Sequence, residues 1–321
     1  MAEFAVSGGR DDLKIDASRC QHMRFSESSC RRCAEICPHK AVNLDGILSI
    51  DPNHCTGCLL CTAACPVGAL EQSTDFQAIL TQLPRVPAPV LGCVRTRERS
   101  NATLTCMGGL SEEHLVTLCH TLAGELTLNL TACSDCPNSA VIHPLRQRLS
   151  LLSGAGLLDG GCHIAIAESA EDIRYHDELV DRRSFFKSLR NSLVKSAAAI
   201  IANDSEQSER HSGYAEKRLP VRRELLNRTR KRLPEELESR IRQRFDSCVT
   251  WGEACTGCHG CVAICPTGAL QAGQSDTPPA FDQPRCTGCG LCSEFCLDRG
   301  MQLSPSRTRC HSILGGERTS I

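Results

Sequence analysis

Hydrophobic residues in the middle of the chain recur first with a helical period and then with a strand period. Leu115, Leu118, Cys119 and Leu122 share one face of a helix predicted over Ser111–Gly124, and Cys119 is therefore expected in the core. The other elements predicted here are a second helix and three strands: Asn138–Leu152, Val90–Cys93, Glu125–Thr131 and His163–Glu168. This β-α-β-α-β order predicts a small α/β domain over residues 90–169 with at least one parallel strand pair.

Polar and charged patterns on either side of this domain predict connecting segments. Three prolines near the end of residues 76–89 indicate a linker. Residues 170–247 are predicted to form a connector with three parts: an amphipathic helix (Asp177–Ala199), a flexible polar link (Asn203–Gly213) and a helical segment rich in arginine and glutamate (Leu219–Phe245). A solvated helical face is the ordinary explanation of such a charge run, and a docking surface for an acidic partner is the alternative.

One stretch after the connector carries four cysteines at short intervals. It reads Cys255-Thr-Gly-Cys-His-Gly-Cys-Val-Ala-Ile-Cys265-Pro, which is the pattern C-x2-C-x2-C-x3-C-P. At this spacing one tight loop can hold three corners of a cubic iron–sulphur cluster, and the fourth cysteine ligates a neighbouring cluster. Gly257 and Gly260 are expected to let the loop close around an inorganic core. A zinc site is the alternative, although zinc motifs usually place two C-x2-C pairs far apart.

The cysteine motif recurs elsewhere in the chain. Cys286-Thr-Gly-Cys-Gly-Leu-Cys-Ser-Glu-Phe-Cys296 follows it, and Cys55-Thr-Gly-Cys-Leu-Leu-Cys-Thr-Ala-Ala-Cys65-Pro lies near the other end. An altered relative, Cys30-Arg-Arg-Cys33-Ala-Glu-Ile-Cys37-Pro, precedes the latter, with Cys20 upstream. The segments that lead into Cys55 and Cys286 also match, because each predicts a short hairpin whose second strand ends in a proline turn.

This arrangement resembles bacterial-type ferredoxins, which carry two [4Fe-4S] clusters on a pseudo-twofold scaffold. The resemblance covers residues 14–75 and 248–305, and it predicts ferredoxin-like modules over residues 1–75 and 248–305, followed by a tail at 306–321. It implies four [4Fe-4S] clusters whose fourth ligands are exchanged within each module. The implied ligand sets are a first set (Cys20, Cys30, Cys33, Cys65), a second set (Cys55, Cys58, Cys61, Cys37), a third set (Cys255, Cys258, Cys261, Cys296) and a fourth set (Cys286, Cys289, Cys292, Cys265).

The chain departs from the ferredoxin pattern at two places. Between Cys20 and Cys30 lie nine residues, Gln21–Ser29, where the pattern has two, so this ligand loop carries a seven-residue insertion. Cys20 is the expected ligand because thiolate is usual for such clusters; a three-iron cluster or ligation by His22 are the alternatives. Leu297 replaces the final proline, which is not a ligand.

Four further cysteines of the central domain, Cys93, Cys106, Cys133 and Cys136, fall at or just beyond predicted strand ends. Ligand sites gather at that edge of an α/β sheet. The layout resembles thioredoxin-like [2Fe-2S] ferredoxins and the small iron–sulphur subunits that link hydrogenases to heterodisulfide reductases. The resemblance implies a thioredoxin-like central domain with a fifth cluster, either [2Fe-2S] or [4Fe-4S]. A redox-active Cys133/Cys136 dithiol and a structural or zinc role are the alternatives.

Composition narrows the class of protein. The chain has 321 residues and 24 cysteines but only 3% aromatic residues, so each small module is expected to depend on its clusters for folding. Metal-binding cysteine arrays argue against a secreted disulfide scaffold, and a reducing, cytoplasmic location is expected. With a formal net charge of −1, the chain has no overall electrostatic attraction to nucleic acid or membranes. We find no signal peptide and no apolar run of bilayer length in the sequence.

The sequence carries one-electron centres without the fingerprint of a nucleotide or flavin site. We therefore expect an α+β, non-catalytic iron–sulphur subunit of anaerobic metabolism. Its predicted role is to pass single electrons between a donor and the catalytic subunit of a larger oxidoreductase, of molybdenum, tungsten, hydrogenase, flavin or heterodisulfide type. Two alternatives remain: a redox enzyme with a thiol- or sulphur-handling site at Cys133/Cys136, and an iron–sulphur regulatory or assembly protein.

Overall fold

The computed structural model of the chain describes residues 11–175, 217–274 and 276–306. The predicted amphipathic helix Asp177–Ala199 and the polar link Asn203–Gly213 lie outside the described residues. Residues 307–321 of the predicted tail lie outside them as well. The described residues form a mixed helix-and-sheet structure in which one cysteine-rich module precedes a parallel sheet in the sequence and another follows it.

The N-terminal module is built from two small antiparallel strand pairs and short helices. Its pairs are β1 (Leu13–Ile15) with β4 (Leu70–Gln72), and β2 (Val42–Asn43) with β3 (Ser49–Ile50). The β2–β3 pair is the hairpin predicted before Cys55. The helices are α1 (Gln21–Arg24), α2 (Arg32–Ile36) and α3 (Leu60–Ala64), with a short 3-10 turn at Ala17–Arg19.

The central domain contains the predicted alternation of strands and helices. Its strands are β5 (Val90–Cys93), β6 (Ala102–Leu104), β7 (Glu125–Asn129) and β8 (His163–Ala167). They form one sheet in the order β6-β5-β7-β8, and all three pairings are parallel. Helices α5 (Glu112–Thr121) and α6 (Ile142–Gly154) connect the strands, and Ser111 caps α5 by accepting a 3.3 Å hydrogen bond from the His114 amide. An α/β unit is thus present, while its likeness to thioredoxin remains a prediction.

Residues 76–89 are more ordered than the linker predicted from their prolines. They form helix α4 (Phe76–Gln82) and a 3-10 turn (Leu83–Arg85), and Asp75 caps the helix by accepting a 3.0 Å bond from the Ala78 amide. The apolar face of α4 belongs to the core of the central domain, with Phe76, Ile79, Leu80 and Leu83 all buried. The prolines end the helix, and the residues that precede them are core.

The second half of the predicted connector is also part of this core. Helices α7 (Val221–Arg230) and α8 (Glu235–Phe245) begin directly after Pro220 and Pro234, as expected for residues that favour helix starts. Their apolar residues Leu225, Leu226 and Ile241 are buried in the central core. The charge run is therefore not a simple solvated face, because Arg222, Arg223 and Arg230 are buried too.

The C-terminal module repeats the plan of the N-terminal one. Strand β9 (Ser247–Trp251) pairs antiparallel with β12 (Met301–Pro305), and β10 (Leu270–Gln271) pairs with β11 (Ala280–Phe281), the second predicted hairpin. Its helices are α9 (Gly260–Ile264) and α10 (Leu291–Phe295), with a 3-10 turn at Gln283–Arg285. Across the described ranges, we find no helix with the length and apolar character needed to cross a bilayer.

Candidate iron–sulphur sites

Three of the four cysteine motifs share one loop conformation. The glycine before the second cysteine has a positive φ in each, +72° at Gly57, +69° at Gly257 and +63° at Gly288. The next residue after that cysteine is left-handed as well and precedes a short helix. Because glycine adopts this backbone without steric cost, the repeated Thr-Gly-Cys sequence fixes the turn. Gly260 has a different role, since a Cβ there would lie 2.9 Å from a ring carbon of Phe295.

The first set of cysteines surrounds one cavity of the N-terminal module. Apart from the thiols, the residues that line this cavity are apolar except for Gln21. The ring Nε2 of His22 lies 2.6 Å from the carbonyl oxygen of Cys30, so the ring contacts the backbone of the loop. The thiols that line the cavity are those of Cys20, Cys30, Cys33 and Cys65.

The second set surrounds a neighbouring cavity of the same module. It lies between α3, the β2–β3 hairpin and the Gly57 loop. The backbone amide of Ala41 points at one of its sulphurs, with Ala41 N 3.3 Å from Cys37 Sγ. The thiols that line this cavity are those of Cys37, Cys55, Cys58 and Cys61.

The chemistry of these cavities fits an iron–sulphur cluster. Burial, followed by repulsion from the other thiols of its set, raises the pKa of Cys33 to about 12, because thiolates are poorly solvated inside the protein and repel one another. Four thiolates in one apolar cavity need compensating positive charge, which the irons of a cluster supply. Among the described residues, no three Cys, His, Asp or Glu side chains are grouped so as to hold a single metal ion.

The C-terminal module brings its cysteines together in a similar way. Burial raises the pKa of Cys289 to about 12, followed by repulsion from Cys286 and Cys265 of the fourth set. Burial likewise raises the pKa of Cys261 to about 11, and Cys258 and Cys255 of the third set add to the shift. The remaining members, Cys292 and Cys296, contribute to the core of the same module.

The central cysteines meet at the carboxyl-terminal edge of the parallel sheet. Cys93 is the last residue of β5, and the other three follow the ends of β6 and β7. Burial raises the pKa of Cys106 to about 12, with added repulsion from Cys58, Cys93 and Cys133. Burial raises the pKa of Cys133 to about 11, with repulsion from Cys93 and Cys136. Cys93, Cys106 and Cys133 thus lie close enough to influence one another, and Cys136 influences Cys133.

Asn138 is a residue of this edge that sequence reasoning missed. Its backbone amide donates to Cys136 Sγ at 3.4 Å, and its side-chain Nδ2 lies 3.9 Å from Cys106 Sγ. The same Nδ2 donates to the carbonyl oxygen of Thr56 in the second ligand loop, at 3.2 Å. Its position two residues after Cys136 is the signal that could have found it, because amides near a ligand cysteine commonly tune a cluster through hydrogen bonds.

The cysteines outside the five sets are accounted for differently. Cys119 is fully buried, as predicted from its helix face, and its thiol donates to the carbonyl oxygen of Cys162 at 3.2 Å. Cys162 is buried as well. Cys248 in β9 is disulfide-bonded. The Nε2 of His259, in the third ligand loop, lies 3.0 Å from the carbonyl oxygen of Thr277.

Comparison with protein-family models places a 4Fe-4S dicluster domain at residues 28–69 and another at residues 254–301. Both segments are ferredoxin-like iron–sulphur electron-transfer modules. Two dicluster domains imply four [4Fe-4S] clusters, in agreement with the number predicted from the cysteine motifs. The match to the N-terminal module begins at residue 28, so it leaves out Cys20 and most of the insertion.

Characterised relatives of these modules are components of oxidoreductases. The chain is 32% identical over 93 residues to a selenate reductase subunit of Mesobacillus selenatarsenatis, covering 25% of this chain and 32% of that protein. It is 54% identical over 39 residues to one of the polypeptides of polysulfide reductase from Wolinella succinogenes, covering 12% and 20%. It is 36% identical over 67 residues to a subunit of the Na(+)-translocating ferredoxin:NAD(+) oxidoreductase complex of Acetobacterium woodii, covering 20% of each.

These similarities are confined to parts of the molecules. The chain spans about a fifth to a third of the length of these three relatives. No solved structure matches it. The central domain is covered by neither family model, since they end at residue 69 and resume at residue 254.

Proposed function

We propose that this chain passes single electrons between a donor and the catalytic subunit of a larger oxidoreductase complex. The observation that carries the proposal is the pair of cavities in the N-terminal module, each lined by the four thiols of one predicted ligand set. The relatives named as reductase subunits support a catalytic partner. The chemical type of that partner, among those predicted from the sequence, is part of what must be tested.

The four ligand sets implied by the ferredoxin resemblance are the proposed cluster ligands. For the first set the proposal takes Cys20 rather than His22, because the Cys20 thiol lines the cavity while the His22 ring contacts the Cys30 carbonyl. A cubane bound by four thiolates accepts and releases one electron at a time. The chain's own contribution is to exclude water with apolar walls and to aim amides, such as those of Ala41 and Gly288, at cysteine sulphurs.

We also propose a fifth cluster at the sheet edge, held by Cys93, Cys106, Cys133 and Cys136. Its support is the convergence of the four thiols and the donors directed at them. Thr96 Oγ1 lies 3.9 Å from Cys93 Sγ, and Asn138 supplies the two contacts described above. A Cys133/Cys136 dithiol that handles sulphur is the second candidate, supported by the C-x2-C spacing.

Anaerobic iron and sulphide quantitation, with EPR during stepwise reduction, tests both proposals. The wild-type protein is compared with the Cys133→Ser/Cys136→Ser double variant. About eighteen to twenty irons in the wild type, falling in the variant, support a fifth centre. About sixteen irons in both proteins would leave four cubanes and favour the dithiol. Fewer than about twelve would overturn the assignment of at least one module.

A further inference from the structure

The insertion Gln21–Ser29, which sets the first cysteine motif apart from the others, lies between the two ferredoxin-like modules. Arg24 Nη1 donates to the carbonyl oxygen of Ile264 at 3.2 Å, and Arg24 is buried. The rings of Phe25 and Phe295 meet edge to face, with centroids 5.4 Å apart and planes at 81°. The insertion therefore contacts a module more than two hundred residues away in the sequence.

A third contact of the insertion uses its last residue. The backbone amide of Ser29 donates to Glu294 Oε2 at 3.2 Å, and the Ser29 hydroxyl donates to the other carboxylate oxygen. The residues that receive these contacts belong to the ligand helices of the C-terminal module. Glu294 and Phe295 lie in α10, which runs between two ligand cysteines, and Ile264 ends α9 directly before Cys265.

The contact brings the first and fourth ligand sets to the same interface. Cys289 of the fourth set packs against the buried core of the N-terminal module as well as against its own. Cys30 directly follows the insertion, and Cys289 is the middle cysteine of the opposite ligand loop. Both residues thus lie at the junction of the modules.

The second ligand set contacts the central domain. Cys58 and Cys106 belong to one buried cluster, together with Leu59, Leu60 and Val141. The two backbones approach closely there, because a Cβ built on Gly108 would lie 2.1 Å from the carbonyl oxygen of Cys58. In the third set, Cys258 is exposed to solvent.

We propose that the insertion Gln21–Ser29 is a docking element that places the first and fourth ligand sets side by side. The five sets then form one line in the order central, second, first, fourth, third, with Cys30 and Cys289 at the crossing between modules. The inference rests on the proposed ligand sets. A chain without this contact would carry two separate pairs of clusters, whereas the docked chain offers one route from the sheet edge to the exposed third set.

A Cys258→Ser variant isolates this junction for measurement. Losing the exposed ligand is expected to remove the third cluster, which leaves the fourth cluster without a neighbour inside its own module. The full-length variant is reconstituted anaerobically, its iron is counted, and EPR power saturation is recorded after full reduction. We expect the signal of the fourth cluster to remain broadened and fast-relaxing, because the first cluster lies across the interface.

Two variants in the Cys258→Ser background separate docking from other effects. Phe25→Ala/Ser29→Ala is expected to convert the fourth-cluster signal into a narrow, easily saturated one at unchanged iron content. Glu27→Gln, at an exposed position of the same insertion, is expected to leave the coupling intact. An isolated fourth-cluster signal before any change to the insertion would overturn the inference, as would coupling that survives Phe25→Ala/Ser29→Ala.

The iron content tests the proposed function, separately from the docking inference. Iron far below about twelve per chain in the Cys258→Ser protein would count against the ligand sets themselves. If that variant fails to fold, Cys58→Ser provides the mirror experiment, because it leaves the first cluster without a neighbour inside the N-terminal module. An uncoupled first-cluster signal in that protein would overturn the docking inference.

Discussion

Arg222 and Arg223 are consecutive residues of helix α7, yet they bind the ligand loops of opposite modules. Arg222 donates to the carbonyl oxygens of Cys65 and Thr62, the latter at 3.0 Å. Arg223 Nη2 donates to the carbonyl oxygen of Cys286 at 2.8 Å. Both guanidinium groups are buried. Helix α7 thus places one buried positive charge next to the first ligand set and another next to the fourth, the two sets that meet at the module junction.

The Arg223→Met variant is expected to lower the reduction potential of the cluster held by the fourth set. A buried cation favours the more negative, reduced form of a nearby cluster, and this attraction is weakly screened inside the protein. A loss on the order of 60 mV would correspond to about 1.4 kcal/mol for one electron. Potentiometric titration followed by EPR measures the shift.

Arg230→Met is the matched control for that variant. Arg223 and Arg230 both bind the buried carboxylate of Asp246, each with a 2.9 Å contact. Arg223 also donates to the carbonyl oxygen of Cys286. Each variant leaves Asp246 paired with the other arginine, so each is expected to cost a similar folding free energy of about 2 kcal/mol for the lost charged hydrogen bonds. Equal potentials in the two variants would contradict the assignment to Arg223.

Local features of the sites were predictable because they depend on short stretches of sequence. Ligand spacing and the Thr-Gly-Cys turn are encoded within a dozen residues, and the left-handed backbone at Gly57, Gly257 and Gly288 follows from that turn. At least one parallel pair could be predicted from the alternation of strand and helix, whereas strand β6 and the strand order were not predicted. The central cysteines could be placed at one edge for the same reason.

Features that depend on distant partners could not be predicted from local patterns. The arginines of α7 have the sequence signature of a solvated face, and their burial depends on carbonyl groups of two other segments. The prolines of residues 76–89 indicated a linker, so helix α4 was not predicted. The role of its apolar face follows from its packing in the core of the central domain. The insertion at Gln21–Ser29 was evident as extra length, while its contact with Phe295 required the tertiary structure.

Gly257→Ala is expected to remove the third cluster from an otherwise loaded protein. Residue 257 has φ +69°, where a Cβ costs about 1–2 kcal/mol. A Cβ there would also lie 2.7 Å from the Cα of Asp276. We expect iron content to fall by about four per chain. Gly252→Ala is the control, since its nearest atom would be 4.0 Å away, and similar iron loss in both variants would contradict this account.

Asn138→Asp is expected to lower the potentials of two centres together. The substitution replaces a donor that touches the Thr56 carbonyl and the Cys106 sulphur with a negative carboxylate. Added negative charge disfavours the reduced form of both the central centre and the second cluster. Ser134→Asp adds the same charge at an exposed position, where water and salt screen it. A change in the reduction potential of only one of the two centres would contradict the prediction that Asn138 influences both.

Removal of iron is expected to unfold the two modules while leaving the central domain folded. The buried core of each module has eight residues, of which three are ligand cysteines, so little apolar packing remains without the cluster. The central core instead joins leucines of the sheet, α5, α6, α7 and α8. Hydrogen exchange read by mass spectrometry after oxidative chelation should show lost protection in β1–β4 and β9–β12, with retained protection in β7 and α5. Protein treated with chelator alone, which keeps its iron, is the control. Simultaneous loss of protection in all three regions would contradict the prediction and would mean that the chain unfolds as one cooperative unit. In that case, the buried contacts of Arg222 and Arg223 would couple the modules to the central core, and leucine packing alone would not keep that core folded.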